Sequence, residues 1–403
     1  MNEIVIIGGG HAGAQLCNAL AAAGQGARVH LVCEEPVLPY QRPPLSKAFQ
    51  KSADEALQWH RGEAWFAEQG ITVHRGDAAT AIDRAARTVT LASGRVLGYA
   101  WLVLATGTRA RPLPQLPAGL ANVHVLRSAA DAERLRGAWP AATGLTVLGG
   151  GFIGLEVAAT ARALGKAVCV LEGAPRLMQR SVSPELSAHV LDVHRASGID
   201  VRTGVAVGGF EVEGDRLVAL QAGGERLAVD TLLLGIGAVP EQALAEAAGL
   251  PCDNGIVVDG HLRTADPAVL AVGDCASFPE PTSGRRLRLE SVQNANDHAK
   301  AAAAVILGAP QPYRALPWFW SEQGSMRLQM AGLAPADGER HRRAGATPAS
   351  FSVLHYAAGR LVCVESVNAP MDHIAARKLL EQGRSPDPAA ACDPATPLKQ
   401  FSA

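Results

Sequence analysis

Short apolar runs alternate with helix-like stretches along much of the chain, and most of the runs end in glycine. Residues 4–7, 101–104, 145–148 and 231–234 are largely apolar runs of strand length. Runs of this kind are typical of parallel strands with both faces covered. Stretches of helical character follow two of the glycine-rich breaks, at residues 14–24 and 155–165. The pattern predicts an α/β fold with two parallel-sheet units.

Two regions depart from this pattern. Residues 87–97 ("RTVTLASGRVL") predict a β-hairpin set into the first unit. The stretch from about residue 316 is rich in strand-like segments, at 326–332 and 351–368, and ends in a helical segment at 376–383. These segments predict a C-terminal α+β domain.

Composition narrows the class of protein. A chain of 403 residues suggests two to three domains, and 48% hydrophobic with 19% charged residues is ample for globular cores. The formal net charge of −1 favours neither nucleic acid nor a membrane surface as a partner. No apolar run approaches the roughly 20 residues of a membrane helix. The seven cysteines are scattered without a C-x-x-C pair, so we expect neither disulfides nor a metal site, and a cytoplasmic location.

Gly8, Gly10 and Gly13 form a Gly-x-Gly-x-x-Gly turn between the first predicted strand and helix. In a dinucleotide fingerprint, the first glycine makes the turn, the second lets backbone approach a pyrophosphate, and the third lets helix pack on strand. The N–H groups of the helix then face the phosphates. The next strand ends in Glu34 and Glu35, which can accept hydrogen bonds from a ribose. The turn predicts a bound dinucleotide.

Gly149, Gly151 and Gly154 repeat this arrangement, and the strand that follows ends in Glu172. A carboxylate there suits the 2′-hydroxyl of NADH and repels the 2′-phosphate of NADPH. Arg176 lies close in sequence and could weaken this preference. We expect NADH at this turn.

Three further segments decide whether the two turns hold the same ligand. Residues 101–114 are an apolar strand that breaks at Ala-Thr-Gly, and residues 231–241 are a second strand with a glycine exit. Residues 264–274 end a strand in glycine and Asp274, where we expect a helix to begin. This set resembles the two-dinucleotide-fold flavoproteins of the disulfide-reductase superfamily. The resemblance implies two Rossmann-like domains of glutathione-reductase type, with FAD at the first turn and NADH at the second.

The branch of this superfamily is indicated by residues 38–49, "LPYQRPPLSKAF". Thiol-dependent members place a cysteine in this region, and this chain has none there. The segment instead resembles the NADH-dependent ferredoxin reductases of oxygenase systems, of the biphenyl and toluene dioxygenase type. Residues 149–162, 288–295 and 316–333 resemble the same family in the same order.

The resemblance implies that Lys47 and Glu156 form a catalytic pair at the reactive edge of the flavin, where the lysine offers positive charge and the glutamate restrains it. The alternative is a surface lysine and an exposed helix glutamate. The residues implied to hold FAD are Gly8, Gly10, Ala12, Gly13, Glu34, Glu35, Arg42, Pro43, Lys47, Ala105, Thr106, Gly107, Asp274, Glu290 and Trp320. Those implied to hold NADH are Gly149, Gly151, Phe152, Ile153, Gly154, Glu156, Glu172 and Gly237. For Trp320 the alternative is ordinary packing, and for Glu290 a carboxylate in the first turn of a helix.

We therefore predict an FAD domain (1–110 and 238–315), an NADH domain (111–237) and a C-terminal domain (316–403). The expected activity is transfer of electrons from NADH through FAD to a small acidic [2Fe–2S] ferredoxin, which feeds a ring-hydroxylating dioxygenase or cytochrome monooxygenase. The alternatives are rubredoxin, a quinone or oxygen as acceptor, or an NADH-switched redox-signalling flavoprotein. A monomer or weak dimer is expected.

Two basic clusters are candidates for docking an acidic ferredoxin, because opposite charge speeds and orients association. One contains Arg285, Arg286 and Arg288, and the other contains Arg340, Arg342 and Arg343. The alternative for each is a solvated loop.

Overall fold

The computed structural model describes residues 2–280 and 284–402 and divides the chain into two compact units. Unit 1 comprises Met1–Arg42, Ala56–Arg109 and Ala238–Ala315. Unit 2 comprises Pro43–Glu55, Ala110–Gly237 and Leu316–Ala403. Residues 316–403, predicted as a separate domain, thus lie in the same compact unit as residues 110–237. The short segment 43–55, which carries Lys47, lies there too.

The strands in chain order are β1 (Ile4–Ile7), β2 (Val29–Cys33), β3 (Thr72–Arg75), β4 (Ala79–Asp83), β5 (Thr88–Leu91), β6 (Val96–Gly98), β7 (Trp101–Leu104), β8 (Thr108–Ala110), β9 (Val123–His124), β10 (Gly144–Leu148), β11 (Ala167–Glu172), β12 (Asp200–Thr203), β13 (Val207–Glu213), β14 (Arg216–Ala222), β15 (Glu225–Ala228), β16 (Thr231–Leu234), β17 (Ala238–Pro240), β18 (Ile256–Val257), β19 (Val269–Ala271), β20 (Ala276–Pro279), β21 (Arg286–Leu287), β22 (Trp318–Gln323), β23 (Met326–Gly332), β24 (Glu339–Ala344), β25 (Phe351–Ala357) and β26 (Arg360–Val367).

The α-helices are α1 (His11–Ala22), α2 (Ala48–Lys51), α3 (Glu63–Glu68), α4 (Ala129–Ala138), α5 (Phe152–Ala163), α6 (Pro184–Ala196), α7 (Ala243–Ala247), α8 (Val292–Ile306), α9 (Pro370–Glu381) and α10 (Pro388–Cys392). Short 3₁₀ turns cover Gly26–Arg28, Pro43–Ser46, Gly273–Cys275 and Leu398–Ser402.

Unit 1 is built on a five-stranded parallel sheet in the order β3-β2-β1-β7-β19. All four residues of β1 are buried, as the continuous apolar run predicts for a central strand. Helix α1 follows β1 directly and packs against α8. The predicted hairpin forms β5 and β6 of a three-stranded antiparallel inset, β4-β5-β6.

Unit 2 repeats this plan with a parallel sheet in the order β12-β11-β10-β16-β9. Helix α5 follows the central strand β10, as α1 follows β1. The inset here is the antiparallel sheet β13-β14-β15. The same strand order in both units puts the end of each central strand, with its glycine turn, at the carboxyl edge of a parallel sheet.

The C-terminal part of unit 2 is a five-stranded antiparallel sheet in the order β22-β23-β26-β25-β24, followed by α9 and α10. Leu328, Phe351 and Val367 from this sheet share one core with Val147 and Leu155 of the β10–α5 region. The predicted fold class is confirmed: two parallel α/β units with an antiparallel α+β part at the C-terminus.

One local prediction is wrong. No helix begins after Asp274: the described chain makes a single 3₁₀ turn and then continues as β20, which pairs in parallel with β18. Only four residues lie between Asp274 and Pro279, and proline has no backbone N–H to continue a helix. This stretch is therefore too short to form a stable helix.

Two further searches cover only the described residues. None of their helices is long and apolar enough to cross a membrane. Among these residues, no cluster of three or more His, Cys, Asp or Glu side chains could hold a metal ion.

Candidate functional site

The first glycine turn has a shape that only glycine permits. Gly8 has a φ of +118°, and a Cβ at this position would lie 2.2 Å from the carbonyl oxygen of Ala105. A Cβ at Gly13 would lie 2.0 Å from the Gly8 carbonyl oxygen. Gly10 differs, because nothing lies within 4 Å of where its Cβ would be. The backbone is therefore tightly packed on its inner side and open at Gly10.

Gly10 is also the N-cap of α1, and glycine has no side chain with which to cap the helix. The first turn, residues 11–14, contains no acidic side chain. An open backbone at a 12-residue helix N-terminus is the environment that a pyrophosphate requires. The residues present at this turn therefore fit a dinucleotide. Ala12, in the same turn, is buried.

Strand β2 lies beside this turn, and the two glutamates that follow it are predicted to face the ligand. The structure places a different side chain against the turn. Cys33 is the last residue of β2, and its sulfur lies 2.6 Å from where a Gly9 Cβ would be. Glu34 is exposed. The Glu35 carboxylate accepts hydrogen bonds from the Tyr40 hydroxyl at 2.7 Å and from Arg42 at 3.0 Å. Cys33, rather than either glutamate, thus lies against the turn.

The second turn has the same backbone geometry. Gly149 has a φ of +109°, and its Cβ would lie 2.4 Å from the Gly235 carbonyl oxygen. A Cβ at Gly154 would lie 2.6 Å from the Gly149 carbonyl oxygen, whereas at Gly151 the nearest atom is 4.0 Å away. Gly151 is the N-cap of α5, which begins with Phe152 and an exposed Ile153. This turn also fits a dinucleotide.

Glu172 distinguishes the second turn from the first. It is the last residue of β11, and its Oε2 accepts a hydrogen bond from the Gly150 N–H at 2.6 Å. Its Oε1 accepts one from the Ala174 N–H at 2.7 Å. Arg176 donates to the carbonyl oxygens of Val182 and Gln179, each at 2.7 Å, which holds its guanidinium within its own loop. The Glu172 carboxylate is therefore fixed beside the turn. The guanidinium of Arg176 is bonded to main-chain oxygens and not to this carboxylate.

Other predicted residues of unit 1 lie at the ends of its strands. Ala105, Thr106 and Gly107 follow β7, and the Thr106 hydroxyl donates to the carbonyl of Glu241 at 2.6 Å. Asp274 lies in the 3₁₀ turn after β19, where its carbonyl oxygen accepts from Arg288 at 3.1 Å.

Glu290 is exposed and forms an ion pair with Arg288 at 2.7 Å. It precedes Ser291, the N-cap of α8, so it does not lie in the first turn of that helix. In unit 2, Gly237 has a φ of +100°, and a Cβ there would come within 3.9 Å of both Arg111 and Arg180.

Lys47 and Glu156 form an ion pair inside unit 2, with 2.7 Å between Nζ and Oε2. Glu156 is 4% exposed, and the Lys47 side chain is 18% exposed. The alternative interpretation, a surface lysine and an exposed helix glutamate, is therefore wrong.

Three further donors complete the surroundings of the Glu156 carboxylate. The Ser46 hydroxyl donates to Oε2 at 2.5 Å, the Ser321 hydroxyl to Oε1 at 2.7 Å, and the Glu322 N–H to Oε1 at 3.3 Å. With Lys47, these four donors match the roughly four acceptor sites of a carboxylate. The group is thus an anchor for Lys47 and has no free acceptor position for a substrate proton. Such an anchor suits hydride transfer, which needs no general base.

The segment that carries Lys47 is held by side chains of the same unit. Gln50 is buried and donates to the carbonyl oxygens of Leu45 and Ala132 at 2.9 and 3.1 Å, while Trp139 Nε1 donates to its Oε1 at 3.0 Å. The Thr160 hydroxyl donates to the Ser46 carbonyl at 3.0 Å. Pro43 opens this segment in a 3₁₀ turn.

Trp320 lies on β22, where alternate side chains face opposite sides. Trp318 and Trp320 share one face, with their ring centroids 5.7 Å apart, and Arg377 stacks over Trp318 at 4.5 Å. On the other face, Phe319 packs against Phe152 at 4.6 Å and Ser321 reaches Glu156.

Burial raises the pKa of every cysteine thiol above its usual value, so none is held as a thiolate at neutral pH. The sulfur of Cys275, which directly follows Asp274, lies within hydrogen-bonding distance of the carbonyl oxygens of Leu104 and Val272, at 3.4 and 3.3 Å. Protonated thiols do not suit a sulfur relay, and four of the seven (Cys17, Cys33, Cys275 and Cys363) are also buried.

The sequence missed the roles of Ser46 and Ser321. Ser46 stands inside the motif that drew attention to Lys47, so its position was a usable signal. Ser321 is 165 residues from Glu156, and nothing in its local sequence indicates that pairing.

Some arginines of the two basic clusters are already bonded within the protein and so are less available for docking a partner. Arg343 is 5% exposed and forms an ion pair with Asp372. Arg340 pairs with Glu185 at 3.1 Å, and Arg286 donates to main-chain oxygens of Val258 and Ser277. Arg285 and Arg342 are exposed.

Comparisons with known proteins agree with this geometry. The family described as pyridine nucleotide-disulphide oxidoreductase matches residues 2–299, and the one described as reductase C-terminal matches residues 318–402. Rhodocoxin reductase of Rhodococcus erythropolis is 42% identical over 395 residues, which cover 97% of this chain and 92% of that protein.

Two solved structures extend the similarity to the whole fold. The ferredoxin reductase for the CYP199A2 system from Rhodopseudomonas palustris has a TM-score of 0.96 at 42% identity, with both chains fully covered. Putidaredoxin reductase in a covalent complex with putidaredoxin has a TM-score of 0.94 at 38% identity, covering 99% of this chain and 98% of that one.

These matches confirm the family indicated by the motifs, and with it the prediction of an oxidoreductase that uses FAD and a pyridine nucleotide. The chain belongs to the pyridine nucleotide-disulphide oxidoreductase family and, within it, to the ferredoxin reductases.

Proposed function

We propose that this protein takes hydride from NADH onto FAD and passes single electrons to a small acidic [2Fe–2S] ferredoxin. That ferredoxin feeds a ring-hydroxylating dioxygenase or a cytochrome monooxygenase. The proposal rests on the likeness to ferredoxin reductases over the full chain, one of them in a covalent complex with putidaredoxin.

The single structural observation behind the proposal is that two glycine turns of the same geometry have different neighbours. Cys33 lies against the first turn, and the Glu172 carboxylate lies against the second. Two turns that differ in the side chain at the end of the neighbouring strand suit two different nucleotides. One of these is FAD, which when bound takes up two electrons together and releases them one at a time.

The first turn is proposed to hold the pyrophosphate of FAD at Gly8, Gly10, Ala12 and Gly13. Glu34 and Glu35 are the candidate ribose ligands, and Glu35 would have to share its carboxylate with Tyr40 and Arg42. Asp274, Ala105, Thr106 and Gly107 lie at the ends of neighbouring parallel strands, where cofactors bind in open α/β sheets. Arg42, Pro43, Glu290 and Trp320 complete the proposed set.

The second turn is proposed to hold NADH, with Gly149, Gly151, Phe152, Ile153, Gly154 and Gly237 around it. Glu172 is the selective residue: a fixed carboxylate accepts hydrogen bonds from a 2′-hydroxyl and repels a 2′-phosphate. Arg176 gives up two main-chain hydrogen bonds if it turns to a phosphate. Both features favour NADH.

Lys47 is proposed to place its ammonium group at the reactive edge of FAD. Glu156 holds that group in place and offsets the cost of burying it. We also propose the predicted domain roles: residues 1–110 and 238–315 bind FAD, residues 111–237 bind NADH, and residues 316–403 complete the unit that contains Lys47. A cytoplasmic location is proposed, since all seven cysteines are free. A monomer or weak dimer is also proposed.

Anaerobic rapid mixing of the purified flavoprotein with NADH and with NADPH tests the proposal. We expect fast bleaching of the flavin absorbance by NADH and bleaching about tenfold slower or more by NADPH, equivalent to at least about 1.4 kcal/mol of discrimination. The Glu172→Ala variant should narrow this ratio. Equal rates with both nucleotides in the parent protein would contradict the role of Glu172.

A second measurement separates the possible acceptors. Reduction of cytochrome c by NADH should depend strictly on an added [2Fe–2S] ferredoxin. Equal turnover with rubredoxin, a quinone or oxygen in its place would favour one of those acceptors. Slow NADH oxidation together with NADH-induced dimerisation would instead favour a redox-signalling protein.

A further inference from the structure

Three buried polar side chains of unit 2 form a line that leads to Glu156. Ser321 and Gln323 lie two residues apart on β22, so both face the same side of the strand. His194 lies on α6. Ser321 is 0%, Gln323 1% and His194 2% exposed, so water does not reach the chain of contacts between them.

The hydrogen bonds in this line share one direction. His194 Nε2 lies 2.9 Å from Gln323 Oε1, and Gln323 Nε2 donates to Ser321 Oγ at 3.2 Å. Ser321 Oγ donates to Glu156 Oε1 at 2.7 Å. Each group therefore donates to the next, from the imidazole to the carboxylate.

Met178 fixes the orientation of the Gln323 amide. Its sulfur lies 3.8 Å from Gln323 Nε2, and a thioether accepts hydrogen bonds but cannot donate them. The NH₂ group therefore faces Met178 and Ser321, and the amide oxygen faces His194. Burial lowers the pKa of His194, so the ring is neutral near pH 7 and carries its proton on Nε2 to satisfy that oxygen.

The amide in turn fixes the Ser321 hydroxyl. A hydroxyl has one proton, and Gln323 occupies an acceptor position on Oγ. The proton is thus left to point at Glu156. One carboxylate oxygen is then held by Ser321 and the Glu322 N–H, while the other faces Ser46 and Lys47.

We propose that Ser321 and Gln323 are positioning residues for Lys47, acting through Glu156. They keep the carboxylate from rotating about its Cγ–Cδ bond, so that Oε2 stays directed at the lysine ammonium. His194 completes the line by holding the amide of Gln323. The effect of this line on catalysis rests on the proposed role of Lys47, whereas its effect on the ion pair does not.

The first experiment measures the ion pair in the flavoprotein without NADH. The protein is treated with an acetylating N-hydroxysuccinimide ester, and labelling of Lys47 is quantified by peptide mass spectrometry against exposed Lys378. We expect Ser321→Ala and Gln323→Leu each to raise the Lys47/Lys378 labelling ratio by about threefold or more, because a Lys47 side chain that is held less firmly reaches the reagent more often. Ser366→Ala is the matched control, since Ser366 is equally buried in the same sheet but bonds Ser352.

The double variant tests whether the two residues act in series. If Gln323 works only through Ser321, then Ser321→Ala with Gln323→Leu should raise the ratio no further than Ser321→Ala alone. Additive effects of the two substitutions, or a ratio unchanged from the parent, would overturn the proposal. Should Ser321→Ala fold poorly, Gln323→Leu alone decides it by the same ratio.

The second experiment measures hydride transfer in the same variants by anaerobic rapid mixing. We expect the limiting rate to fall about three- to tenfold, with the NADH concentration at half-saturation unchanged, since the effect is on orientation. Altered labelling with unaltered hydride transfer would uphold the positioning line and reject the proposed role of Lys47. Unaltered labelling would reject the positioning line whatever the rate.

Discussion

Four donors surround the carboxylate of Glu156, and they come from two segments of unit 2 that are distant in sequence. Lys47 and Ser46 come from one segment held by Gln50, whereas Ser321 and the Glu322 N–H come from a strand of the C-terminal sheet. Two of these donors face each oxygen of the buried carboxylate. The ion pair with this carboxylate holds the Lys47 ammonium group in place.

Glu156→Gln should slow hydride transfer while preserving the shape of the site. The amide replaces one acceptor oxygen by an NH₂ group, which faces donors and leaves Lys47 without its counter-charge. We expect a 10- to 100-fold lower limiting rate of flavin bleaching by NADH, which is about 1.4 to 2.7 kcal/mol. Glu322→Gln is the matched control, since that side chain is exposed on β22. A parent-like rate in Glu156→Gln would show that the ion pair plays no part.

Among single residues, the sequence predicts site residues that lie in local motifs. It does not predict residues that reach the site from distant segments of the chain. Lys47 and Glu156 stand in recognisable motifs, and the structure joins them at 2.7 Å. Ser321 could not be found this way, since its hydroxyl reaches Glu156 only because β22 packs against α5. The contact of Cys33 with the first turn likewise depends on where β2 ends, a boundary that a sequence pattern fixes only to within a few residues.

In the C-terminal part of unit 2, the buried side chain of Arg343 holds several elements together. Arg343, on β24, forms an ion pair with Asp372 of α9 at 3.1 Å. The same guanidinium donates to the carbonyl oxygens of Ala391, Asp393 and Thr396, between 2.7 and 3.0 Å. One side chain therefore ties the last segment of the chain to the sheet.

Arg343→Leu should destabilise this part of the molecule strongly. It removes the counter-charge of Asp372, which keeps the Ser352 hydroxyl as a donor, and it removes one donor from each of three carbonyl groups. We expect this loss to cost about 3 to 5 kcal/mol in the free energy of unfolding. Trypsin should then cleave the segment after Arg384 sooner, as followed by mass spectrometry. Arg342→Leu is the control, because Arg342 is exposed and its stacking on Phe351 contributes about 0.5 to 1 kcal/mol. Equal protection of both variants would contradict the anchoring role.

At the scale of elements, strand prediction succeeded where apolar runs were long, as in β1, β7, β10 and β16. It failed after Asp274, where a glycine–carboxylate exit was taken for the start of a helix. Gly273 there has a φ of +73°, and the chain turns into β20. A parallel partner strand, β18, decides this outcome, and it is not visible in the local sequence.

For the whole molecule, buried histidines link stability to pH. Burial lowers the pKa of His124 to about 4, of His298 to about 3 and of His373 to about 4. The unfolded chain binds these protons near pH 6.5 and the folded chain does not, so stability is fully present above pH 6.5 and is lost as pH falls toward 4. At pH 5 each such histidine disfavours folding by about 2 kcal/mol.

The thermal midpoint should therefore drop between pH 7.5 and pH 5, as measured by scanning calorimetry. In His298→Gln the drop should be smaller, because one of the buried histidines that bind a proton on unfolding is gone. The substituted amide can still accept from the Gly273 N–H, which His298 Nδ1 binds at 3.1 Å. A drop of parent size in this variant would show that His298 does not contribute.

Docking of the ferredoxin is also a property of the whole surface. Of the six arginines in the two basic clusters, Arg285 and Arg342 are both exposed, and Arg342 stacks over Phe351 at 4.4 Å. Arg285→Glu should slow ferredoxin reduction at low salt, since a favourable charge on the encounter surface becomes unfavourable. NADH oxidation by ferricyanide should remain unchanged. Equal ferredoxin rates at low ionic strength would remove Arg285 from the docking surface, and Arg342→Glu tests the other cluster in the same way.

The chain passes between the two units after residues 42, 55, 109, 237 and 315, so neither unit is one continuous stretch. This arrangement limits how the protein can be re-engineered by exchanging parts with a relative. A transplant of residues 111–237 alone carries Glu156 into a host that supplies its own counterparts of Ser46, Lys47 and Ser321. Only a graft that moves residues 43–55, 110–237 and 316–403 together keeps the carboxylate with the partners it has here.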